Sequence, residues 1–317
     1  MKRYIAGLAC AAMAVVSVPA LASTAHAKAA DPVAALKSKL VSGQGVTFVD
    51  KTKIYAKGQK SAIAADRKGV LQFGPSGVVA SDQTGKYRID EATRKMLEEF
   101  SDSDENGEED PFVRLIRGMA KPERVIHLAK TTYVSGGPLG EFVPEGKSWI
   151  RFPHDKIGFP HGTLGAVGEA SQSVNAAEPA TLKALLGHAT TKRAGFYAGK
   201  ITWGELAKVS PWFRASQGIG LTTNASKTVM SWKLYVGADQ LPRRLTTSYT
   251  LGAKTTTVYD TVYSGWGSIV SIKTPEPETV AELKDLRLTK PEAQVSILRG
   301  QVNAFVDRPG TGTSRNH

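Results

Sequence analysis

Hydrophobic and polar residues alternate most regularly near the carboxy-terminal end, between Val229 and Pro277. Apolar residues recur there at every second position, and turns containing Gly and Asp at 237–239 and 252–253 interrupt the alternation. This pattern is typical of antiparallel strands with one covered face. The connections are too short to contain crossover helices, which excludes parallel pairing within the segment. We therefore predict an antiparallel meander whose third and fourth strands span Thr255–Tyr263 and Ser268–Lys273.

Similar but shorter runs precede the meander. The strands they predict lie at 46–55, 70–73, 77–79, 85–88, 124–134, 147–152 and 195–206. Amphipathic stretches after Pro32 and Pro179 predict helices, as do those on both sides of an acidic loop at 101–110. The stretch from Gly162 to Ala177 is small and polar, which is typical of a linker across the middle of the molecule. Many strands and few helices indicate an α+β fold.

Several strand and turn segments carry residue combinations that can be compared with known families. They are WKLYV at 232–236, LPRRL at 241–245, YSGWG at 263–267, TTYV at 131–134, KSWIRF at 147–152, and Pro179 followed by YAG at 197–199. Together these segments resemble the actinobacterial LppX/LprG-type proteins, relatives of the periplasmic lipoprotein carrier LolA. The resemblance extends from Asp31 to Leu283 and is best from Glu178 onward. It implies a strongly curved antiparallel β-sheet, a half-barrel, with a few helices covering its concave face.

The resemblance also implies a binding site made of apolar wall positions rather than catalytic groups. The predicted wall residues are Trp149, Ile150, Met230, Trp232, Leu234, Leu245, Tyr249 and Leu251. The implied ligand is a lipid, a lipoprotein acyl chain or another amphiphile, and no cofactor is expected. The half-barrel domain is predicted at 28–285, with an acidic helix-loop-helix insertion at 91–119. A partly disordered extension is predicted at 286–317.

Residues 1–27 have the three regions of a secretory signal peptide. Lys2 and Arg3 precede an apolar run, and residues 25–27 offer a small-x-small cleavage site. Cys10 is the only cysteine and lies inside this leader, with Gly7 where a lipid-anchored protein would carry a Leu-like residue. We therefore expect cleavage near Ala27 and a secreted, unanchored monomer of the cell envelope without cysteines.

The formal net charge of +12 leaves two interpretations open. The basic residues are scattered, and no Lys/Arg block is interleaved with aromatic residues, so a nucleic-acid partner is not expected. The excess charge serves solubility in the first interpretation. In the second, it attracts the protein to an anionic envelope surface of lipid headgroups or wall polymers. The absence of clustering along the sequence favours the first.

The acidic loop invites a calcium interpretation. Asp102, Asp104 and Asn106 occupy the first, third and fifth positions of an EF-hand-like loop. The match then fails, because Val113 stands where such a loop needs a bidentate Glu. We therefore favour a solvated acidic loop and keep these three residues as weak metal candidates. His154, Asp155 and His161 also lie close together in sequence, but they fit the spacing of a turn-rich connector better than that of a metal site.

The sequence contains none of the local motifs of a hydrolase: no Gly-x-Ser-x-Gly, no Ser-x-x-Lys and no His-Glu-x-x-His. The main hypothesis is therefore a non-enzymatic carrier or sensor, which predicts a deep apolar cavity. An envelope protein-interaction or regulatory sensor domain is the alternative, and it predicts a filled core with an exposed apolar patch. A hydrolase with an unrecognised site, the third hypothesis, predicts clustered titratable side chains in a cleft.

Overall fold

Strands are more abundant than helices in the structure, a computed structural model that describes residues 31–57, 63–89, 91, 95, 111–128, 131–153, 165–168, 171–216, 221–252 and 255–287. The strands are β1 (Gln44–Ala56), β2 (Ile63–Gly74), β3 (Gly77–Arg88), β4 (Glu123–Leu128), β5 (Thr131–Gly136), β6 (Trp149–Pro153), β7 (Ala189–Arg193), β8 (Phe196–Thr202), β9 (Val229–Val236), β10 (Pro242–Leu251), β11 (Thr255–Ile269) and β12 (Val280–Glu282). The helices are α1 (Pro32–Lys37), α2 (Pro111–Met119), α3 (Gly137–Gly140), α4 (Pro179–Gly187), α5 (Trp203–Val209), α6 (Pro211–Ser216) and α7 (Thr223–Ser226). Two 3-10 turns, Pro277–Thr279 and Leu283–Asp285, flank β12.

All the described strands belong to one curved, open 12-stranded sheet. Their order is β12-β6-β5-β4-β3-β2-β1-β11-β10-β9-β8-β7, so β12 and β7 form the two edges. Each neighbouring pair is antiparallel except β12 and β6, which run parallel. This architecture confirms the predicted fold class, a curved antiparallel half-barrel with helices on its concave face.

Several strand boundaries differ from the prediction, in part because glycine does not interrupt the sheet. β11 is a single strand through Ile269, with Gly265 and Gly267 at positive φ where the ladder with β1 shifts register. The predicted separate strand at 268–273 is therefore wrong. The short strands predicted at 70–73, 77–79 and 85–88 are parts of the long β2 and β3. Glycine is required within β2, since a Cβ at Gly69 would lie 2.5 Å from the carbonyl oxygen of Asp82.

The strand predicted at 195–206 ends at Thr202, where α5 begins. Thr202 caps the helix: its Oγ1 accepts from the backbone N–H of Glu205 at 3.2 Å, and the Glu205 carboxylate accepts from the Thr202 N–H at 2.8 Å. This reciprocal capping box satisfies two backbone donors that would otherwise lack partners. The helical start was therefore encoded in the sequence as Thr-x-x-Glu.

The concave side holds two apolar clusters. The first apolar cluster joins β8–β11 and parts of β1 and β2 to helices α1, α4, α5 and α6; it includes Leu36, Phe48, Leu182, Leu206, Phe213 and Trp232. The second apolar cluster joins β4–β6 to α2 and α3; it includes Leu115, Val125, Val134, Leu139, Ile150 and Val167. Burial of these side chains supplies the main driving force for folding.

Some predictions fall outside the described residues. These are the leader at 1–27, the candidates Asp102, Asp104 and Asn106, and the extension beyond Arg287. The predicted domain limits stay predictions. Within the described ranges, no helix combines the length and apolar character needed to cross a membrane.

Candidate functional site

A segment of irregular backbone crosses the concave face of the sheet between the two apolar clusters. We call residues 171–177 the strap; each of them is buried, although none belongs to a helix or strand. Val167, a short distance upstream, packs in the second apolar cluster, whereas Val174, Ala176 and Ala177 pack in the first. The predicted linker across the middle of the molecule is therefore, in its described part, an internal element of the core.

Beneath the strap lies a strip of buried polar side chains, which we call the polar strip: Asp50, Arg67, Gln83, Ser81 and Thr261. The Arg67 guanidinium donates to Asp50 Oδ2 at 2.7 Å and to Gln83 Oε1 at 2.6 Å. Thr261 Oγ1 donates to Asp50 Oδ1 at 2.9 Å, and Gln83 Nε2 donates to Ser81 Oγ at 2.8 Å. Because the Asp50–Arg67 pair is almost inaccessible to water, its desolvation cost must be offset by these additional hydrogen bonds.

Gln172 provides most of the strap's polar contacts with the sheet. Its backbone N–H donates to Asp50 Oδ2 at 3.1 Å, and its side-chain Oε1 accepts from Thr247 Oγ1 at 2.8 Å. Its Nε2 donates weakly to Thr261 Oγ1 at 3.4 Å. On the opposite side, the indole N–H of Trp212 donates to the Gln172 carbonyl at 3.1 Å. Gln172 is thus held between the sheet and helix α6.

Two polar groups of the strap are buried without a partner. Ser173 Oγ and Asn175 Nδ2 make no hydrogen bond, although these residues are only 6% and 3% exposed. A buried polar group left unsatisfied costs about 1–3 kcal/mol. Asn175 also lines a cavity of about 10 Å³, together with Phe48, Arg67, Leu71, Gln172, Val174, Trp212, Thr261 and Tyr263. This volume is close to the space needed for one water molecule.

Glu178 anchors the carboxy-terminal end of the strap. Its carboxylate accepts hydrogen bonds from the hydroxyls of Ser210 and Thr181 and from the backbone N–H of Trp212, the last at 2.9 Å. Burial raises the pKa of Glu178 above its ordinary value, although these hydrogen bonds act in the opposite direction. Burial also raises the pKa of the Tyr263 phenol, whose oxygen accepts from the backbone N–H of Ala176 at 3.3 Å.

The structure brings half of the predicted wall residues together. Met230, Trp232, Leu234 and Leu245 are all at most 2% exposed and lie in the first apolar cluster. Tyr249 lies at the edge of this cluster, where its ring contacts Trp203 with centroids 4.9 Å apart. These residues pack against helices instead of lining an open cavity.

The other three predicted wall residues lie elsewhere. Ile150 is buried in the second apolar cluster. Trp149, its neighbour in β6, is half-buried, and the guanidinium of Arg124 lies 5.4 Å from the centre of its ring. Leu251 is 42% exposed at the end of β10. The sequence interpretation missed the polar strip, although Asp50 follows Val46 and Phe48 at the same two-residue spacing and so shares their inward face.

Metal binding finds no support in the described residues, which contain no group of three or more His, Cys, Asp or Glu side chains able to hold an ion. The weak candidates Asp102, Asp104 and Asn106 lie outside these residues, as do His154, Asp155 and His161. The concave face contains the Asp50–Arg67 ion pair and hydroxyl and amide groups, and the two apolar clusters lie on either side of them. This chemistry suits binding of an uncharged or amphiphilic group.

Comparison with known proteins returns matches to solved structures alone. No family model matches the chain, and no curated protein matches it in sequence. A LolA superfamily protein from Nitrosomonas europaea is similar at 7% identity and a TM-score of 0.27, covering 74% of this chain and 90% of that chain. A hypothetical protein from Chlamydia trachomatis matches at 8% identity and a TM-score of 0.26, covering 76% of this chain and 98% of that chain.

A third solved structure is described as an outer membrane lipoprotein-sorting protein domain from Vibrio parahaemolyticus. Its identity is 8% and its TM-score 0.28, covering 74% of this chain and 90% of that chain. At TM-scores this low, we draw neither family membership nor ligand from these likenesses. The chain itself is a curved antiparallel half-barrel, and a segment of the same chain occupies its concave face.

Proposed function

We propose that this chain is a secreted, non-enzymatic carrier or sensor that binds a lipid, a lipoprotein acyl chain or another amphiphile on the concave face of its sheet. The observation that carries the proposal is the position of the strap. It covers the part of the concave face that the ligand would occupy, which we call the trough. In the proposed cycle the strap leaves the trough when a ligand enters, and returns when the ligand leaves. The sequence resemblance to LppX/LprG-type proteins supports the same ligand class.

The strap is suited to displacement because hydrogen bonds within the protein replace only part of those that its polar groups would make with water. It has no backbone ladder with the sheet, and its contacts with the polar strip and Thr247 depend mainly on Gln172. Ser173 and Asn175 each bury an unsatisfied polar group, which regains hydrogen bonds in water once the strap leaves. The apolar contacts that are lost are those of Val174, Ala176 and Ala177, which an acyl chain can replace.

The residues beneath the strap indicate how an amphiphile would lie. Phe48 and Leu71 would contact the acyl chain, since they line the existing small cavity and belong to the first apolar cluster. Arg67 and Gln83 would face the polar group of the ligand. Because Asp50 already neutralises Arg67, this position favours an ester, amide or hydroxyl group over a free anion.

Native mass spectrometry of the protein purified from its own host, followed by organic extraction, tests the proposal. We expect a discrete adduct that leaves with solvent and resolves into acyl-containing species. A mass equal to that of the polypeptide alone, unchanged after incubation with host lipids, would overturn the carrier proposal.

An envelope protein-interaction or regulatory sensor domain is the second candidate, and one observation favours it. The strap is buried against the concave face, and the cavity beside it, of about 10 Å³, is far too small for an acyl chain. In this alternative the strap is a permanent part of the core, and binding uses the outer surface. Hydrogen exchange separates the two: the backbone amides of the strap exchange more slowly than those of exposed loops in both cases, but only the carrier loses this protection when lipid is added.

A further inference from the structure

The convex face of the sheet gathers lysines that are scattered in the sequence. Lys51 and Lys53 on β1, Lys68 on β2 and Lys86 on β3 are all exposed, and they alternate with buried residues along their strands. The register places them close together: Lys51 and Lys86 lie on either side of Asp66 on β2. We call these four residues the lysine face.

The carboxylates among these lysines are already neutralised by arginines. Arg88 forms a bidentate ion pair with Asp66, donating to both carboxylate oxygens. Arg124 forms the same kind of bidentate pair with Asp82. The Arg88 hydrogen bond is the main reason that the pKa of Asp66 is lowered, so this carboxylate stays ionised and paired. In the described part of the chain, no ion pair joins the four lysines to a carboxylate. Their charges therefore remain available to an external anion.

Exposed apolar side chains border the lysine face. Val49 lies directly opposite both Lys68 and Val262, and Val49 and Val262 are each 46% exposed. The same cross-strand row continues through Arg244 to Tyr235, which is 43% exposed. At about 4.8 Å between strands, the row from Tyr235 to Lys68 extends roughly 20 Å. Cationic and apolar groups thus share one broad surface.

We propose that this convex surface docks the protein on a bilayer that contains anionic phospholipid. Lysine is a mobile point charge that needs no fixed two-point partner, which suits a fluid layer of phosphate headgroups better than a single folded ligand. Val49, Val262 and Tyr235 can enter the interfacial region, while the lysine stems extend across it. The proposal concerns the face opposite the strap and does not depend on ligand binding in the trough.

Co-sedimentation with vesicles tests this surface. The purified protein is mixed with vesicles of equal parts phosphatidylglycerol and phosphatidylcholine, and with vesicles of phosphatidylcholine alone. We expect binding to the first only, weakened by salt, because the attraction is screened beyond a Debye length. Replacing Lys51, Lys53, Lys68 and Lys86 together by Gln should lower the partition coefficient at least about a hundredfold, since each lysine near an anionic surface contributes about fivefold.

A matched variant controls for net charge. Lys37, Lys183, Lys208 and Lys227 are equally exposed but lie on or beside the helices of the concave side, and replacing them by Gln removes the same charge. We expect this control to keep more than half of the wild-type binding. Equal loss in both variants, or binding to neutral vesicles, would overturn the proposal. So would lysine-dependent binding of soluble polyphosphate without vesicle binding, which would indicate a polyanion in place of a membrane.

Discussion

Opposite effects on ligand affinity are expected from two neighbouring substitutions in the strap. If the ligand replaces the strap, part of the binding free energy is used to open the strap, and the apparent dissociation constant rises accordingly. Gln172→Ala removes contacts that hold the strap closed. Ser173→Ala removes a buried hydroxyl that has no hydrogen-bond partner. The first change should therefore tighten ligand binding, and the second should weaken it.

The magnitudes follow from the hydrogen bonds involved. Gln172→Ala removes the 2.8 Å bond from Thr247 Oγ1, the weaker 3.4 Å bond to Thr261 and the 3.3 Å bond that Oε1 accepts from the Val174 N–H. It keeps the backbone bond to Asp50. The loss, about 1.5 kcal/mol, corresponds to roughly tenfold tighter binding. Ser173→Ala avoids the desolvation cost of one hydroxyl, about 1 kcal/mol, and so weakens binding roughly fivefold. The two variants should differ about fiftyfold.

A fluorescent acyl probe such as parinaric acid provides the assay. The probe is titrated into each variant and into Ser231→Ala, a control in which an exposed hydroxyl of β9 is removed from the convex face. Because Trp212 is hydrogen-bonded to the strap, its emission should change on ligand binding, so the change in total tryptophan emission should be smaller in Trp212→Phe than in the wild type.

Shifts of the same sign in the two strap variants would refute the displacement mechanism, because a purely structural disturbance weakens binding in both. Saturable probe binding with no shift in either variant would place the ligand away from the strap. Either result would mean that the probe binds without displacing the strap. Failure of every variant to bind any acyl probe would remove the support for a carrier.

Two further predictions concern buried ionisable groups. Because burial raises the pKa of Glu178, the folded state retains its proton more tightly, so the free energy of unfolding should fall as the pH rises from the ordinary value of 4.5 through the raised pKa. Urea unfolding across this window should show the fall in the wild type but not in Glu178→Gln, and parallel pH profiles would contradict the assignment. Asp50→Asn, which leaves Arg67 with an uncompensated buried charge, should cost about 3–5 kcal/mol. The double variant with Arg67→Met should cost less than the sum of the two single changes, and additive costs would show that the pair is not coupled.

The sequence alone identified most of the strands, and in the meander also their covered faces, because side-chain alternation in a strand is a local property. Met230, Trp232 and Leu234 share a buried face in β9 as the two-residue period predicts. The antiparallel meander from β9 to β11 is likewise confirmed, since its connections are too short for any other pairing. Helix α5 could also have been predicted from its capping box at Thr202.

Only the tertiary structure decided what occupies the concave face and which charges meet on the convex one. Asp50 and Thr261 are 211 residues apart in sequence, and their hydrogen bond depends on the register of β1 with β11. The strap has the composition of a surface linker, and its burial follows from its flanking elements packing in different clusters. Lys51, Lys68 and Lys86 form one surface because three long strands align them. Such long-range register is set by the packing of the whole sheet, which no local sequence pattern contains.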